Sequence, residues 1–346
     1  MTGARRETVQ LPGGETLREL DLATEGPRPL IDLKEAVYER KINTSAFEWQ
    51  YLKHPSRDRL RVFVVENEGH IIASTTRLPA TIRLGGADCH AYFNVDSMVH
   101  PAHRRKGRMR DLYLFARTQV DDTPIFFSKG SSRQIAPLLV SIGHRAITPN
   151  TYLVSYPSAP RWLMSRLHLG PARSALDATI PDGFEDHRVI DRFGPAFDEL
   201  FGRTADSFAA IFKRDAVYMN WRYVDVPHRR YLRFARFSGD KLVGVVVISI
   251  DDGQARIVDL LWDPSTIEGP SRLVRFAHTV CERNRAVRVA CFATHPEVRE
   301  ALNRAGFYDR GETPRFSAFV PADRELAFAH ASPMHVLDGD GDTEFS

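Results

Sequence analysis

The apolar positions Val95, Met98 and Val99 in Val95-Asp96-Ser97-Met98-Val99-His100 read as a short strand that ends at Pro101. Val95, Ser97 and Val99 share one face in this reading, and Asp96, Met98 and His100 the other. Pro101 has no N–H to offer a sheet, so the strand stops there. From Met109 the period changes: Met109, Leu112, Tyr113, Ala116 and Val120 recur at helical spacing, with Arg110, Asp111, Arg117 and Gln119 on other faces. Between strand and helix lies Arg104-Arg105-Lys106-Gly107-Arg108, four cations around one glycine. A turn that feeds a helix N-terminus presents unpaired N–H groups and the positive end of the helix dipole. Such a turn is a cradle for a phosphate or pyrophosphate.

The same pattern returns later in the chain. Trp49-Gln50-Tyr51 and Trp221-Arg222-Tyr223 lie 172 residues apart, and each is followed by a proline four residues after its tyrosine, Pro55 and Pro227. Each is followed by a hairpin pattern: Val62–Val65 with Ile71–Ala73, then Leu232–Ala235 with Leu242–Gly244. Val258-Asp259-Leu260-Leu261-Trp262-Asp263-Pro264 parallels Val95–Pro101 at a separation of 163, which also relates Gly143-His144 to Gly306-Phe307. Landmarks in matching order at a long period indicate two homologous units. Each unit reads hairpin, strand, helix, strand, helix, strand. Ile125–Phe127, the helix Ile135–Ile142 and the strand Tyr152–Val154 complete the first; Val287–Phe292 and the helix Val298–Ala305 fill the same places in the second. The boundary falls between about Leu163 and Asp191, where Pro171, Pro181 and Gly183 interrupt the pattern. Trp49, Tyr51, Trp221 and Tyr223 recur as pairs and read as core.

Val99, Pro101 and Arg104-x-x-Gly107-x-Met109 resemble the acyl-CoA-binding motif R/Q-x-x-G-x-G/A of the GNAT superfamily, with Met109 where glycine or alanine is usual. The resemblance covers roughly Phe47 to Val320 and implies an α/β (α+β) fold. Two tandem GNAT-like units are expected, each a mixed, mostly antiparallel sheet flanked by helices. The first spans 1–170 and carries the cradle; the second, 185–346, is degenerate and ends in an acidic tail. By resemblance the first sheet splays between Phe93–His100 and Pro124–Ser128 to admit a pantetheine arm. Met98, Val99, Arg104, Arg105, Lys106, Gly107, Arg108 and Met109 would then hold CoA, and the backbone N–H near Val99 would polarise the thioester carbonyl. The implied activity is acyl-CoA-dependent N-acyl transfer, with acetyl-CoA as co-substrate and a small-molecule amine as acceptor. Such an amine must lose a proton before it attacks, so a base is needed; Asp96 and His100 are the candidates on the strand. Asp259 repeats Asp96 in the unit without a cradle, and that repetition favours a structural hydrogen bond. The tyrosine that many GNAT enzymes use as general acid is replaced by Leu139, leaving Tyr92, Tyr113 or Tyr152, or departure of the thiolate unaided.

In the second unit the corresponding turn is Ile267-Glu268-Gly269-Pro270-Ser271: one carboxylate, no cation, and a proline without an N–H. CoA binding is therefore expected in the first unit alone. A net charge of +3, with acids interspersed among the arginines, offers no basic face for nucleic acid. This weighs against a second class of tandem GNAT-like enzyme, the Fem-type aminoacyl transferases that use aminoacyl-tRNA; a non-catalytic CoA-binding scaffold is the third reading. No apolar run approaches the roughly 18 residues of a membrane span. Cys89, Cys281 and Cys291 form no closely spaced pair, so neither a disulfide framework nor a metal site is expected. A cytoplasmic location follows as the expectation, and the oligomeric state stays open. Asp338-Gly339-Asp340-Gly341-Asp342 lacks the glycine and glutamate spacing of a calcium loop and reads as a solvated acidic tail.

Overall fold

The computed structural model describes residues 7–120, 124–158, 160, 176–330 and 334–341. The chain forms two compact units. The first takes residues up to Thr81, Cys89–Ala146 and Arg315–Glu325; the second takes Ile82–Asp88, Ile147–Pro314 and the chain from Leu326 on.

The first unit runs β1 (Val9–Gln10), β2 (Thr16–Leu20), α1 (Arg28–Tyr38), α2 (Thr44–Phe47), β3 (Arg61–Asn67), β4 (His70–Leu84), β5 (Ala87–Val99), α3 (Arg108–Thr118), β6 (Ile125–Ser128), α4 (Ile135–Ser141) and β7 (Arg145–Ala146). Glu68 and Gly69 link β3 to β4 at φ 51° and 77°, the left-handed pair that a two-residue hairpin needs. On one face of this sheet Leu112, Tyr113, Phe115 and Ala116 of α3 pack with Phe63, Val65 and Ile72. On the other, Leu30, Ile31 and Leu33 of α1 pack with Phe47, Tyr51, Val62, Val64 and Met98. The helical spacing from Met109 to Ala116 is the buried stripe of α3, which ends at Thr118, two residues short of Val120.

The second unit contains β8 (Tyr152–Ser155), β9 (His187–Val189), β10 (Ala210–Phe212), β11 (Tyr231–Ser238), β12 (Lys241–Asp251), β13 (Gln254–Trp262), β14 (Arg288–Phe292) and β15 (Tyr308–Asp309). Its sheet order is β15-β8-β14-β13-β12-β11-β9. The two remaining strands are β16 (Ser317–Phe319) and β17 (Met334–His335). Trp49, Tyr51, Trp221 and Tyr223 are all buried, as their recurrence predicts.

The units are not the contiguous 1–170 and 185–346 of the sequence reading. β8, expected to close the first sheet, pairs antiparallel with β14 in the second. β16, from far downstream, pairs with β6 and β7 in the first. Position 153 pairs with Cys291 and position 317 with Ser128, so equivalent strands have changed places. An apolar strand of three or four residues carries no record of which equivalent sheet it completes.

Residues 338–341 also depart from expectation: Asp338 and Asp340 are 0% and 2% exposed. In the second unit β13 and β14 run parallel through three pairs, Gln254–Arg288, Ala255–Val289 and Arg256–Ala290, and no further pair continues the ladder. The C-terminal segment bonds to both strands where they diverge. Gly339 N–H donates to the Val258 carbonyl (2.7 Å) and Val336 caps Thr294 N–H (3.2 Å). His335 Nε2 meets the Leu260 carbonyl at 2.7 Å, and Leu337 bridges Ala293. Asp340 and Asp259 share the fully buried Arg214 at 2.6 and 2.9 Å. Burial alone works against that cation; the two carboxylates outweigh it and raise its pKa.

If this segment is seated rather than solvated, Asp340→Ala strips a buried guanidinium of one of its anions, a loss of about 3 kcal/mol. The melting temperature should then fall by more than about 5 °C. A melting curve superimposable on the parent's would return these residues to a solvated tail.

Candidate functional site

The equivalent divergence in the first unit lies between β5 and β6. They pair in parallel at Ala91–Ile125, Tyr92–Phe126 and Phe93–Phe127, each residue 163 positions before its counterpart in the β13–β14 ladder. Beyond Phe93, Asn94 Nδ2 donates to Ser128 Oγ at 2.8 Å, and the ladder does not resume. The parallel ladder therefore ends at Phe93, in the region where the resemblance implied a splay. His100 N–H turns to the Ile72 carbonyl of β4 at 2.8 Å, so by strand alternation the Val99 N–H faces the splay.

The cradle stands at the start of α3. Arg105 and Gly107 have φ of 65° and 77°, and Gly107 is the N-cap, its carbonyl taking the Arg110 N–H at 2.9 Å. A side chain at Gly107 would be strained in that left-handed conformation. The N–H groups of Lys106, Gly107, Arg108 and Met109 have no hydrogen-bond partner among the described residues. Arg104, Arg105 and Lys106 are exposed around them. Arg108 does something else: it holds Glu15 with three hydrogen bonds of 2.7–2.9 Å. Both side chains are largely buried, at 14% and 6% exposure. A Cβ on Gly13 would lie 2.7 Å from Arg108 Nη2 and closer still to Glu15, so the glycine permits their approach. The Arg108 hydrogen bonds hold the Glu15 carboxyl below the usual carboxylate range. Nothing near Gly13–Glu15 suggested this pair, because a long-range ion pair leaves no local periodicity.

Met98 and Met109 also serve the fold. Met98 packs against α1 and Tyr51, and Met109 is buried under α3. Their side chains are core, and of the two only Met109 offers a free backbone N–H to a ligand. Leu139 is buried in the same cluster as Met109. Tyr152 lies in the second sheet and so leaves the list of donors, whereas Tyr113 bonds to Ser97 Oγ at 2.8 Å.

Asp96 sits at φ 48° and is tied on three sides. Lys34 Nζ pairs with it at 2.9 Å, Gln50 Nε2 donates at 3.4 Å, and Tyr51 donates a short hydrogen bond. Burial, then the Asp96 charge, push the Tyr51 phenol up, so it stays protonated as a donor. The second unit repeats the device: Asp259 accepts from Tyr223 (2.8 Å) and pairs with Arg214. His100 is less encumbered, but its Nδ1 accepts the Ala102 N–H at 3.3 Å. In the neutral ring that leaves the proton on Nε2, so His100 must release this cap to act as a base through Nδ1.

The second turn is two residues shorter than the sequence alignment of the turns assumed. Glu268, at φ 68°, is the N-cap that matches Gly107, and its carbonyl takes the Ser271 N–H at 2.9 Å. A carboxylate, paired with Arg275 at 2.6 Å, therefore stands where the first unit has glycine.

The mixed sheet with its parallel splay beside a helix N-terminus belongs to a fold shared with solved N-acyltransferases. Residues 23–130 match the model of the Acetyltransferase (GNAT) domain, so the chain carries a GNAT acetyltransferase domain there. A GCN5-related N-acetyltransferase from Anabaena variabilis superposes with a TM-score of 0.61 at 13% identity, over 87% of this chain and 72% of that one. A probable N-acyltransferase from Enterococcus faecalis gives 0.60 at 11%, over 88% and 72%. Saccharomyces cerevisiae N-myristoyltransferase with bound myristoyl-CoA gives 0.58 at 11%, over 91% and 80%. No curated protein matches the sequence. No described helix is long and apolar enough to cross a membrane.

The Asp96 network sets a stability test. Asp96→Asn leaves Lys34, whose side chain is 9% exposed, without its carboxylate, at a cost of roughly 3 kcal/mol. Adding Lys34→Met should recover most of the loss in urea denaturation, since an apolar group needs no counter-ion. A double variant no more stable than Asp96→Asn would show that the pair does not act as a unit.

Proposed function

We propose that the chain transfers an acetyl group from acetyl-CoA to a small-molecule amine, with CoA held by the first unit alone. The observation that carries this reading is the contrast between the two splays. In the second, the chain's own residues 334–341 meet the divergent strands, and a carboxylate occupies the N-cap. In the first, no described residue continues the ladder past Asn94–Ser128, and free N–H groups and three exposed cations flank the opening.

The cradle takes the pyrophosphate through the N–H groups of Lys106 to Met109, with charge from Arg104, Arg105 and Lys106. Arg108 fixes the β1–β2 loop beside them through Glu15. Val99 N–H, aimed into the splay, receives the thioester oxygen as it gains charge. Asp96 is neutralised by Lys34 and committed to Tyr51, so of the two bases His100 takes the proton from the attacking amine. A cytoplasmic setting and a reaction without a metal belong to the same reading.

Titration calorimetry should give one CoA per chain, and Arg104→Glu with Arg105→Glu should weaken it at least tenfold, since each charge-assisted hydrogen bond is worth roughly 1.5–3 kcal/mol. Two equivalent sites, or an unchanged affinity in the double variant, would overturn the assignment of this turn. Acetyl-CoA turnover on a panel of amines separates an enzyme from a scaffold, which would bind CoA without consuming any acetyl donor.

A further inference from the structure

Arg77 on β4 is 1% exposed, and no carboxylate pairs with it among the described residues. Its Nε has no partner; Nη1 donates to Thr75 Oγ1 at 3.2 Å and Nη2 to the Tyr113 carbonyl at 3.4 Å. The guanidinium lies 5.1 Å from the centre of the Tyr113 ring and 5.3 Å from that of Phe126. The other ionisable groups around it, Arg117 and His144, are a second cation and a buried imidazole lowered to about 3 by burial and by the two arginines. A buried cation without an anion is costly.

The hydrogen bonds leading away from it form one line of hydroxyls. Thr75 Oγ1 lies 2.9 Å from Ser97 Oγ, and Ser97 Oγ lies 2.8 Å from the Tyr113 hydroxyl. Thr75 accepts from Arg77, so its own hydroxyl is free to donate to Ser97. If Tyr113 donates as well, both Ser97 lone pairs are taken, and the Ser97 O–H must point to a third acceptor. Ser97 is on β5 beyond the last β5–β6 pair and is half-buried, so that acceptor lies in the splay. Asp96, the nearest carboxylate in sequence, is held by Lys34 and Tyr51 on the opposite face.

We propose that Ser97 protonates the departing CoA sulphur, with Tyr113, Thr75 and Arg77 acting through it. The inference rests on the acyl-CoA reading of the first splay. When the tetrahedral intermediate collapses, the C–S bond breaks and its electron pair stays on sulphur. The Ser97 proton passes to that sulphur, and the Tyr113 proton passes to Ser97 Oγ. The phenolate is held beside the Arg77 cation until water in the emptied slot returns a proton through Ser97. The proton lost by the amine leaves by way of the base. Ser97 is the group that would touch the reacting atoms; Tyr113, Thr75 and Arg77 are positioning residues. The polar line also supplies the donor that Leu139 cannot.

A donor aimed at sulphur favours bound thiolate, so it is measurable without knowing the acceptor. An ordinary thiol titrates near ~8.5. If the bound thiol is about one unit more acidic, the ratio of CoA to acetyl-CoA affinity rises from pH 7 to pH 9 about sixfold more in the parent protein than in Ser97→Ala. Tyr113→Phe, which keeps the ring over Arg77, should lose most of that rise, and Ser97→Thr, which keeps a hydroxyl, should restore it. Calorimetry with CoA and acetyl-CoA at both pH values reads all four proteins. Both ligands bound, with the same ratio change in all four, overturns the proton line and leaves the acyl-CoA site standing. Neither ligand bound by the parent overturns the site, and the line with it.

Discussion

Two parallel strands that pair for three residues and then part leave backbone groups that need partners, and this constraint governs both units. A buried N–H or carbonyl without a hydrogen bond costs about as much as the bond itself. The second unit meets the need internally: Val258 and Leu260 carbonyls receive Gly339 N–H and His335 Nε2. The corresponding positions in the first unit, Val95 and Ser97, lie on the strand edge where no described strand pairs past Phe93, and where Arg104 Nε donates to the Val99 carbonyl at 3.2 Å. One geometry thus gives a strap in one copy and a ligand slot in the other. The difference lies in what is supplied to the edge, and only secondarily in the edge itself.

The same economy appears in the buried charges. Each unit sets a tyrosine and a cation on an aspartate of its central strand: Tyr51 and Lys34 on Asp96, Tyr223 and Arg214 on Asp259. The cations come from different elements, α1 in one case and the loop after β10 in the other, so the aspartate and tyrosine are the repeated part. This tells against reading Asp96 as a group held ready for proton transfer. It fits a device that pins the segment bearing Tyr51 to the strand that lines the slot. Arg77, by contrast, has no anion among the described residues, and its hydrogen bonds run to Thr75, and so to Ser97, and to the Tyr113 carbonyl.

Around the cradle, charge counting and charge use diverge. Four cations surround Gly107 in the sequence, yet Arg108 is spent on Glu15. The remaining cations and the free N–H groups are what a pyrophosphate would meet. In the second unit the left-handed N-cap is kept as Glu268, although a carboxylate there opposes any anion.

The amino-acid sequence by itself determined the elements and their order: the β5 strand, the α3 stripe, the hairpins, the doubling at 163 and 172 residues, and the cradle with its glycine. These are local periodicities and repeated spacings, and periodicity is set by which face of one element is buried. Tertiary structure alone decided four things: that β8 and β16 change sheets, that residues 334–341 strap the second splay, that Glu15 takes Arg108, and that Arg77, Thr75, Ser97 and Tyr113 form one line. Each joins residues far apart in the chain, or depends on which of two equivalent sheets a short apolar strand completes. A strand of three or four apolar residues reads the same in either sheet, and a buried aspartate reads like a solvated one until its arginine is found. That pairing is chosen by the packed interior, where an unpaired charge is costly, and not by any pattern along the chain.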